Sequence, residues 1–156
     1  MQYEITAPAV LNHTVDLPSS KSVSNRALII HALSGGGMLP QNLSDCDDTD
    51  VMIKALRDMP EVIDIKAAGT AMRFLTAYLA VTPGRHTITG TERMRHRPIR
   101  LLVDALRYLG AEVEYAGEEG YPPLRITGRP LDGGRIEIPG NVSSQYISAL
   151  LMIGPV

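Results

Sequence analysis

The feature that most constrains the fold is a recurring pair of helix patterns. A helix that begins at small or hydroxyl residues near Ser22 is followed by a helix with an acidic start near Asp47. The same order returns with a small-residue start at Thr70 and an amphipathic helix near Pro98, so like helices are separated by about fifty residues. A third small-residue start, at Ser144, opens another copy. The pattern therefore predicts two α/β repeats and the beginning of a third.

Short apolar segments between these helices predict β-strands. The predicted strands are 62–65, 86–89, 111–115, 124–127 and 135–138. Residues 12–17 are a further candidate, for an edge strand. Strands that alternate with helices indicate the α/β class of fold.

The clearest helix pattern is RPIRLLVDALRYLG, residues 97–110. Its apolar residues recur at helical spacing: Ile99, Leu102, Val103, Leu106 and Leu109. Pro98 suits a first helical turn, and Gly110 suits the helix end. A second helix is predicted over DDTDVMIKALRDM, residues 47–59, because the helix dipole favours acidic residues at the N-terminus.

The composition predicts a globular protein that acts on small molecules. With 156 residues, 44% of them hydrophobic and 21% charged, the chain can form one domain around a single core. A net charge of −2 and an aromatic content of 4% do not support nucleic-acid binding. The sequence has no apolar run of membrane-spanning length and no secretory signal pattern at its start, and its single cysteine, Cys46, fits a reducing compartment. We therefore expect a cytoplasmic protein with neither nucleic acid nor a membrane as partner.

The stretch LPSSKSVSNRAL, residues 17–28, places seven polar or charged residues around one helix start. A helix N-terminus presents unpaired backbone N–H groups and partial positive charge, so it binds phosphates and carboxylates readily. Ser22 and Arg26 share one helix face, and Lys21 lies at the N-terminal end of the same helix. Two interpretations stay open. Either Ser20 or Ser22 caps the helix beside solvated cations, or these groups together hold an anion.

The stretch KAAGTAMRFL, residues 66–75, repeats this design. Gly69 and its small neighbours allow a ligand to approach the backbone, and Thr70 can cap the helix. Arg73 lies one turn inside. A tightly packed turn between strand and helix is the alternative interpretation.

A third start, GNVSSQYISALL at residues 140–151, lacks a cation. Its first turn instead carries hydroxyl and amide groups on Ser143, Ser144 and Gln145, which suit a polyol or a phosphate. One such start is ordinary. Three in one chain, two of them with a cation in the first turn, favour anion binding.

The segment RMRHRPIR, residues 93–100, concentrates positive charge on Arg93, Arg95, Arg97 and Arg100, with His96 among them. A nucleic-acid patch is the obvious alternative, but the rest of the chain is not basic enough to support it. A pocket for a small anionic substrate fits better.

The acidic stretch DCDDTD, residues 45–50, resembles a calcium loop only superficially. An EF-hand that starts at Asp45 needs glycine and glutamate where this chain has Asp50 and Leu56. A helix start is the preferred interpretation. The four histidines show no metal-ligand spacing, so no metal site is predicted.

Several strings together resemble the 3-phosphoshikimate 1-carboxyvinyltransferase, or EPSP synthase, family: LPSSKSVSNRAL, AGTAMRFL, RPIRLLVDALRYLGAEVEY, YPPLRITG and VSSQYISALLM. The resemblance runs in register over almost the whole chain, and SKSVSNRA together with GTAMR is highly specific. The related enolpyruvyl transferase that acts on UDP-N-acetylglucosamine shares the fold but is not expected to show these strings.

The resemblance implies an enzyme that transfers the enolpyruvyl group of phosphoenolpyruvate to the 5-hydroxyl of shikimate 3-phosphate and releases phosphate, with no cofactor. It implies two similar domains of βαβαββ units in an inside-out barrel, with both substrates in the cleft between them. This chain then corresponds to the N-terminal portion. Residues 1–17 form a strand segment that belongs with the other domain, and residues 18–156 form an incomplete N-terminal substrate-binding domain. The missing C-terminal domain is an expected partner.

The resemblance also assigns site residues. Shikimate 3-phosphate is assigned to Lys21, Ser22, Arg26, Ser143, Ser144 and Gln145. Phosphoenolpyruvate is assigned to Lys21, Gly69, Thr70, Arg97 and Gln145. Lys21 is the candidate for catalytic proton transfer within this chain, because the carboxylate that accepts the hydroxyl proton comes from the second domain in the family.

The chain departs from the family pattern beside the phosphoenolpyruvate pocket. Ala67 replaces a frequent asparagine and Phe74 a common proline, which bears on affinity for phosphoenolpyruvate and for the herbicide glyphosate. The link between Arg57 and Lys66 is also shorter than in the best-known members. The leading expectation is a synthase fragment that binds substrate without turnover. The alternatives are an enolpyruvyl transferase with a nucleotide-sugar acceptor and a non-catalytic anion-binding module.

Overall fold

The computed structural model describes residues 3–4, 6–10 and 12–156, in which helices and strands alternate. The helices in this part of the chain are α1 (Lys21–Leu33), α2 (Asp47–Asp58), α3 (Gly69–Val81), α4 (Glu92–Arg95), α5 (Arg100–Tyr108) and α6 (Ser144–Ile153). The strands are β1 (Val62–Asp64), β2 (Gly84–Thr89), β3 (Glu112–Tyr115) and β4 (Leu124–Gly128). The α/β class predicted from the sequence is confirmed.

The strands form one sheet in the order β1-β2-β4-β3. β1 and β2 are parallel because α3 connects them as a crossover helix, whereas β4 pairs antiparallel with both β2 and β3. Read along the chain, β1, α3, β2, α5, β3 and β4 make one complete βαβαββ unit, to which the short helix α4 is added. The preceding unit is represented in the described residues by α1 and α2, with no strand assigned before β1.

Helix α3 is the centre of the core. Its side chains are buried on nearly every face, and Phe74, Leu75 and Leu79 are completely buried. A helix that is apolar all round is typical of a fully covered position. Burial of each large apolar side chain stabilises the fold by about 1.5–3 kcal/mol. The start of α3 is therefore held rigidly among α1, α2, α6 and the sheet.

Most predicted elements are present with shifted ends. The apolar stripe of 97–110 is confirmed, with Ile99, Leu102, Val103 and Leu106 fully buried, although α5 begins at Arg100 after the N-cap Ile99. The short helix α4 was not anticipated. Its four residues are too few for a helical apolar pattern.

Two strand predictions are wrong. Residues 12–17 and residues 135–138 form no strand in the described structure. Alternation in 135–138 does place Ile136 and Ile138 together, but on the wall of a groove and without a neighbouring strand. A sequence pattern can specify the face that a strand buries, whereas the ladder of hydrogen bonds needs a second strand.

This groove, of about 520 Å³, lies between α6 and the segment that precedes it. Its lining is almost entirely apolar: Leu109, Leu131, Gly133, Gly134, Ile136, Ile138, Ile147, Leu150, Leu151, Ile153, Gly154 and Val156. The polar helix starts lie elsewhere, so the groove is distinct from the site considered below.

Gly128, at the end of β4, packs directly on the last turn of α3. A Cβ at this position would contact the carbonyl oxygens of Thr82 and Leu79, and neither backbone can yield easily. We expect Gly128→Ala to destabilise the chain by about 3 kcal/mol in urea unfolding, since overpacking against backbone forces the helix and the strand apart. Gly140→Ala is the matched control, because a Cβ there meets nothing within 4 Å. Equal stability of the two variants would contradict this packing.

Candidate functional site

The polar residues at the start of α1 divide into structural and exposed groups. Ser20 is the N-cap, and its side chain accepts from the backbone N–H of Val23 at 3.4 Å, which decides between Ser20 and Ser22. Ser24 and Asn25 are buried. They bind Ser44 and Thr49, which fixes α1 against α2.

Arg26 is held between three helices. Its Nη1 donates to the carbonyl oxygen of Ser22 at 2.9 Å, and its Nη2 donates to the hydroxyl of Ser148 on α6, also at 2.9 Å. The guanidinium lies over the Phe74 ring of α3, 5.1 Å from the centroid. Such stacking on an aromatic ring orients arginine as well as stabilising it. The half-buried cation is therefore fixed in place before any ligand binds.

Lys21 points toward α2 rather than toward α3 or α6. Its Nζ lies 3.4 Å from Asp48 Oδ2, and the two side chains are 48% and 21% exposed. Exposed ion pairs contribute about 0–1 kcal/mol, so an incoming anion can draw the ammonium away at small cost. Without a ligand, Lys21 is therefore paired with Asp48 of α2. The sequence did not indicate this acidic partner.

The turn that leads into α3 is shaped by Asp64 and Lys66. Lys66 has a left-handed φ of 53°, and its backbone N–H and ammonium both donate to the Asp64 carboxylate, at 2.9 and 2.6 Å. The hydrogen bond from the Lys66 ammonium, followed by that from its backbone, holds the pKa of Asp64 below its usual value. This clamp directs the chain so that α3 begins at Gly69.

Gly69 and Arg97 are in direct contact. A Cβ on Gly69 would collide with Arg97 Nη1, so only glycine leaves room for the guanidinium there. Gly69 is buried and Arg97 is half-buried. The structure therefore brings together two residues that lie far apart in the sequence, at the end of a helix where backbone N–H groups attract anions.

Thr70 does not cap α3, contrary to one sequence interpretation. The N-cap residue is Ala68, which has no side chain able to accept a hydrogen bond. The Thr70 hydroxyl instead accepts from Gln145 Nε2 at 3.1 Å. This bond joins the first turn of α3 to the first turn of α6.

The start of α6 is capped by Ser143, whose hydroxyl accepts from the backbone N–H of Gln145 at 3.3 Å. Ser144 is exposed and begins the helix. One turn later, Ser148 meets Arg26. Ser148 was missed by sequence reasoning, although its spacing of four from Ser144 was the signal that could have identified it.

The basic cluster of 93–100 does not act as one patch. Arg97 reaches Gly69, whereas Arg95 donates to the carbonyl oxygen of Gly90 at 3.2 Å and Arg100 pairs with Glu119 at 2.9 Å. Sequence proximity therefore overstated the number of cations available to one ligand. The pocket for a small anion predicted at this segment therefore depends on Arg97, because Arg95 and Arg100 have partners elsewhere.

The acidic stretch at 45–50 starts α2, as predicted. Asp47, Asp48 and Asp50 lie in its first turn, and the N-cap Cys46 makes no side-chain capping bond. Burial acts to raise the pKa of the Cys46 thiol, but hydrogen bonds with Ser44 and Thr49 lower it further than burial raises it. Within the described residues, no three His, Cys, Asp or Glu side chains are grouped as metal ligands.

None of the helices described is both long and apolar enough to cross a bilayer. The candidate polar site consists of the starts of α1, α3 and α6 together with the guanidinium groups of Arg26 and Arg97. Backbone N–H groups, hydroxyls and cations all favour negative charge, so an anion is the ligand chemistry that this arrangement suits.

Comparison with known proteins identifies the family. The family model described as EPSP synthase (3-phosphoshikimate 1-carboxyvinyltransferase) matches residues 5–64 and 58–156. A relative from Bacteroides fragilis named 3-phosphoshikimate 1-carboxyvinyltransferase is 70% identical over all of this chain and 38% of its own length. A relative of the same name from Tolumonas auensis is 44% identical over 91% of this chain and 39% of its own length.

The fold agrees with these matches. The solved EPSP synthase from Acinetobacter baumannii superposes with a TM-score of 0.77 at 25% identity, over 90% of this chain and 38% of that one. The chain thus spans well under half the length of the relatives it matches. It belongs to the EPSP synthase (3-phosphoshikimate 1-carboxyvinyltransferase) family.

Proposed function

We propose that this chain is the N-terminal, shikimate-side portion of an enzyme that transfers the enolpyruvyl group of phosphoenolpyruvate to the 5-hydroxyl of shikimate 3-phosphate. Family membership supports the reaction class. The observation that carries the proposal is the joining of α3 to α6 through Thr70 and Gln145, beside the contact of Gly69 with Arg97. These contacts assemble residues for two anions from three separate segments.

The phosphoenolpyruvate end consists of Gly69, Thr70, Arg97 and Gln145. Here the N-terminal N–H groups of α3 and the Arg97 guanidinium offer hydrogen bonds to a carboxylate or a phosphate. The shikimate 3-phosphate end consists of Ser22, Arg26, Ser143, Ser144 and Gln145. We assign Lys21 to both ends, which requires its ammonium to leave Asp48.

The reaction requires two anionic substrates to meet, and their repulsion must be neutralised. Phosphoenolpyruvate gains a proton at its methylene carbon, and the 5-hydroxyl oxygen then bonds to the adjacent cationic carbon while losing its own proton. The tetrahedral intermediate formed in this way eliminates phosphate and a proton from the methyl group, which restores the double bond. Fixed cations and orientation supply most of the acceleration. We assign Lys21 to proton transfer, and no cofactor is needed.

The second wall of the site belongs to a further domain. Arg26, Arg97 and Gln145 are half-buried, so one side of each remains open to a facing surface. Residues 1–17 belong with that domain, while residues 18–156 form the substrate-binding part. The intact enzyme acts in the cytoplasm on small molecules.

A chimera tests this function. This chain replaces the matched 38% of the Bacteroides fragilis relative, and the product is called the completed enzyme. We expect the completed enzyme to release phosphate only when both substrates are present, and the 156-residue chain to bind shikimate 3-phosphate without turnover. Sustained turnover by the chain alone would contradict its incompleteness. The proposed reaction would be contradicted if the completed enzyme released phosphate with UDP-N-acetylglucosamine and not with shikimate 3-phosphate. It would also be contradicted if the completed enzyme bound its ligands without any turnover.

The Lys21–Asp48 pair makes a smaller prediction. Asp48→Asn removes a carboxylate 3.4 Å from the ammonium, so Lys21 is free to meet an anion and one source of repulsion disappears. We expect the affinity of the completed enzyme for shikimate 3-phosphate to rise about threefold in calorimetry. Asp58→Asn is the control, because Asp58 pairs with Arg57 at the other end of α2. Unchanged affinity in Asp48→Asn would show that the pair does not restrain Lys21.

A further inference from the structure

A second guanidinium lies beside Arg97, and the function proposed above does not use it. Arg73 is one turn inside α3, and its Nη1 donates to the carbonyl oxygen of Gly69 at 2.8 Å. A Cβ built on Gly69 would lie 3.1 Å from this Arg73 Nη1 and still closer to Arg97 Nη1. The two guanidinium groups therefore flank one glycine.

No carboxylate neutralises this pair of cations. Among residues 3–4, 6–10 and 12–156, neither Arg73 nor Arg97 takes part in a salt bridge. Arg73 Nε is also buried without a hydrogen-bond partner. Both arginines are half-buried, and even partial burial of a cation without an acid is unfavourable; the nearby positive end of α3 adds to the cost. An anion beside Arg97 relieves this repulsion.

Tyr146 connects Arg73 to the segment that carries Arg97. Arg73 Cζ lies 5.3 Å from the centroid of the Tyr146 ring, and the Tyr146 hydroxyl donates to the carbonyl oxygen of Pro98 at 2.7 Å. Tyr146 is only 4% exposed, so both contacts are shielded from water. Because Pro98 follows Arg97 directly, the tyrosine ties the backbone beside Arg97 to α3 and α6 at once.

We infer that Arg73 is a positioning residue for Arg97 at the phosphoenolpyruvate end, an inference that rests on the proposed function. Through Gly69 it secures the first turn of α3. Through Tyr146 it secures the backbone next to Arg97. The charge of Arg73 has no acidic partner, so it also raises the affinity of this end for an anion above that expected from Arg97 alone.

The test uses steady-state kinetics of the completed enzyme. Arg73→Met keeps an unbranched apolar stem but removes the guanidinium, and with it the charge and the hydrogen bond to Gly69. We expect the KM for phosphoenolpyruvate to rise about tenfold, with kcat and the KM for shikimate 3-phosphate changed less than about twofold. Arg73→Lys restores the charge and is expected to recover part of the loss. Tyr146→Phe keeps the ring but loses the bond to Pro98, and we expect it to raise the same KM about threefold.

Arg107→Met is the matched control. Arg107 also stacks on a tyrosine, with its Cζ 5.0 Å from the Tyr115 ring, and its Nε donates to a backbone carbonyl oxygen, that of Val113, at 2.8 Å. We expect this variant to lose stability without a change in either KM. An unchanged KM for phosphoenolpyruvate in Arg73→Met, or an equal rise in both KM values, overturns the positioning role.

Two further outcomes are distinguishable. If Arg73→Met fails to fold, Tyr146→Phe decides, because an unchanged KM for phosphoenolpyruvate in that variant overturns the inference and a selective rise supports it. If the unaltered completed enzyme does not use phosphoenolpyruvate, the proposed function itself fails and the inference falls with it.

Discussion

Gly69→Ala is expected to raise the KM of the completed enzyme for phosphoenolpyruvate by about tenfold or more. The added methyl group would clash with Arg97 Nη1, so the guanidinium must move away from the start of α3. Binding of shikimate 3-phosphate is expected to change less than about twofold, because Arg26 and Ser148 contact other parts of the site. The measurement is the KM for each substrate with the other at saturation.

Helix propensity makes this prediction sharper. Alanine is favoured over glycine inside a helix by about 1 kcal/mol, so a loss of affinity cannot come from a weakened α3. Gly140→Ala serves as the control for a methyl group added where nothing lies within 4 Å. Equal KM values for Gly69→Ala and Gly140→Ala would mean that Arg97 does not bind phosphoenolpyruvate from this position.

Arg26→Ala is expected to weaken shikimate 3-phosphate binding about 100-fold, equivalent to about 2.7 kcal/mol. The variant removes a half-buried guanidinium that is already fixed by Ser22, Ser148 and the Phe74 ring. The loss therefore includes both the charge and its preorganisation. Isothermal titration of the completed enzyme with shikimate 3-phosphate measures it.

Two controls separate these contributions. Arg26→Lys keeps the charge but loses the planar fork, and we expect an intermediate affinity. Arg57→Ala removes one positive charge from the exposed end of α2, where the arginine is 67% exposed, and we expect no change. If Arg26→Ala and Arg57→Ala bind shikimate 3-phosphate equally well, Arg26 is not a ligand-binding residue.

The helices were predictable because their patterns are local. The stripe through Ile99, Leu102 and Leu106 has the period of a helix, and its burial follows from that period alone. The strand predicted at 135–138 failed for the opposite reason. Its alternation is genuine, but pairing depends on a second strand that local pattern does not contain.

The residues of the candidate site could be named from the sequence more readily than the contacts between them. Helix starts and glycine at position 69 can be read from residue types, since anions favour exposed N–H groups and small residues. The bond from Gln145 to Thr70 and that from Arg26 to Ser148 depend on how α6 packs on α1 and α3. No sequence periodicity encodes such contacts between helices.

Charge partners were the least predictable part. Lys21 pairs with Asp48, although the two residues lie in different helices and appeared to have separate roles. Arg26 lies over the ring of Phe74, a partner on a different helix. Which charged side chains come within reach of each other depends on how the helices pack, so tertiary packing determines these ion pairs.

The most direct test of the three-helix anion site is a crystal structure of the completed enzyme with shikimate 3-phosphate and phosphoenolpyruvate bound. We predict that shikimate 3-phosphate contacts Arg26 and Ser144, while phosphoenolpyruvate lies at the N-terminus of α3 against Gly69 and Arg97. Both ligands would then share Gln145. Ligands bound away from the starts of α1, α3 and α6, for example in the apolar groove beside Ile136, would contradict it.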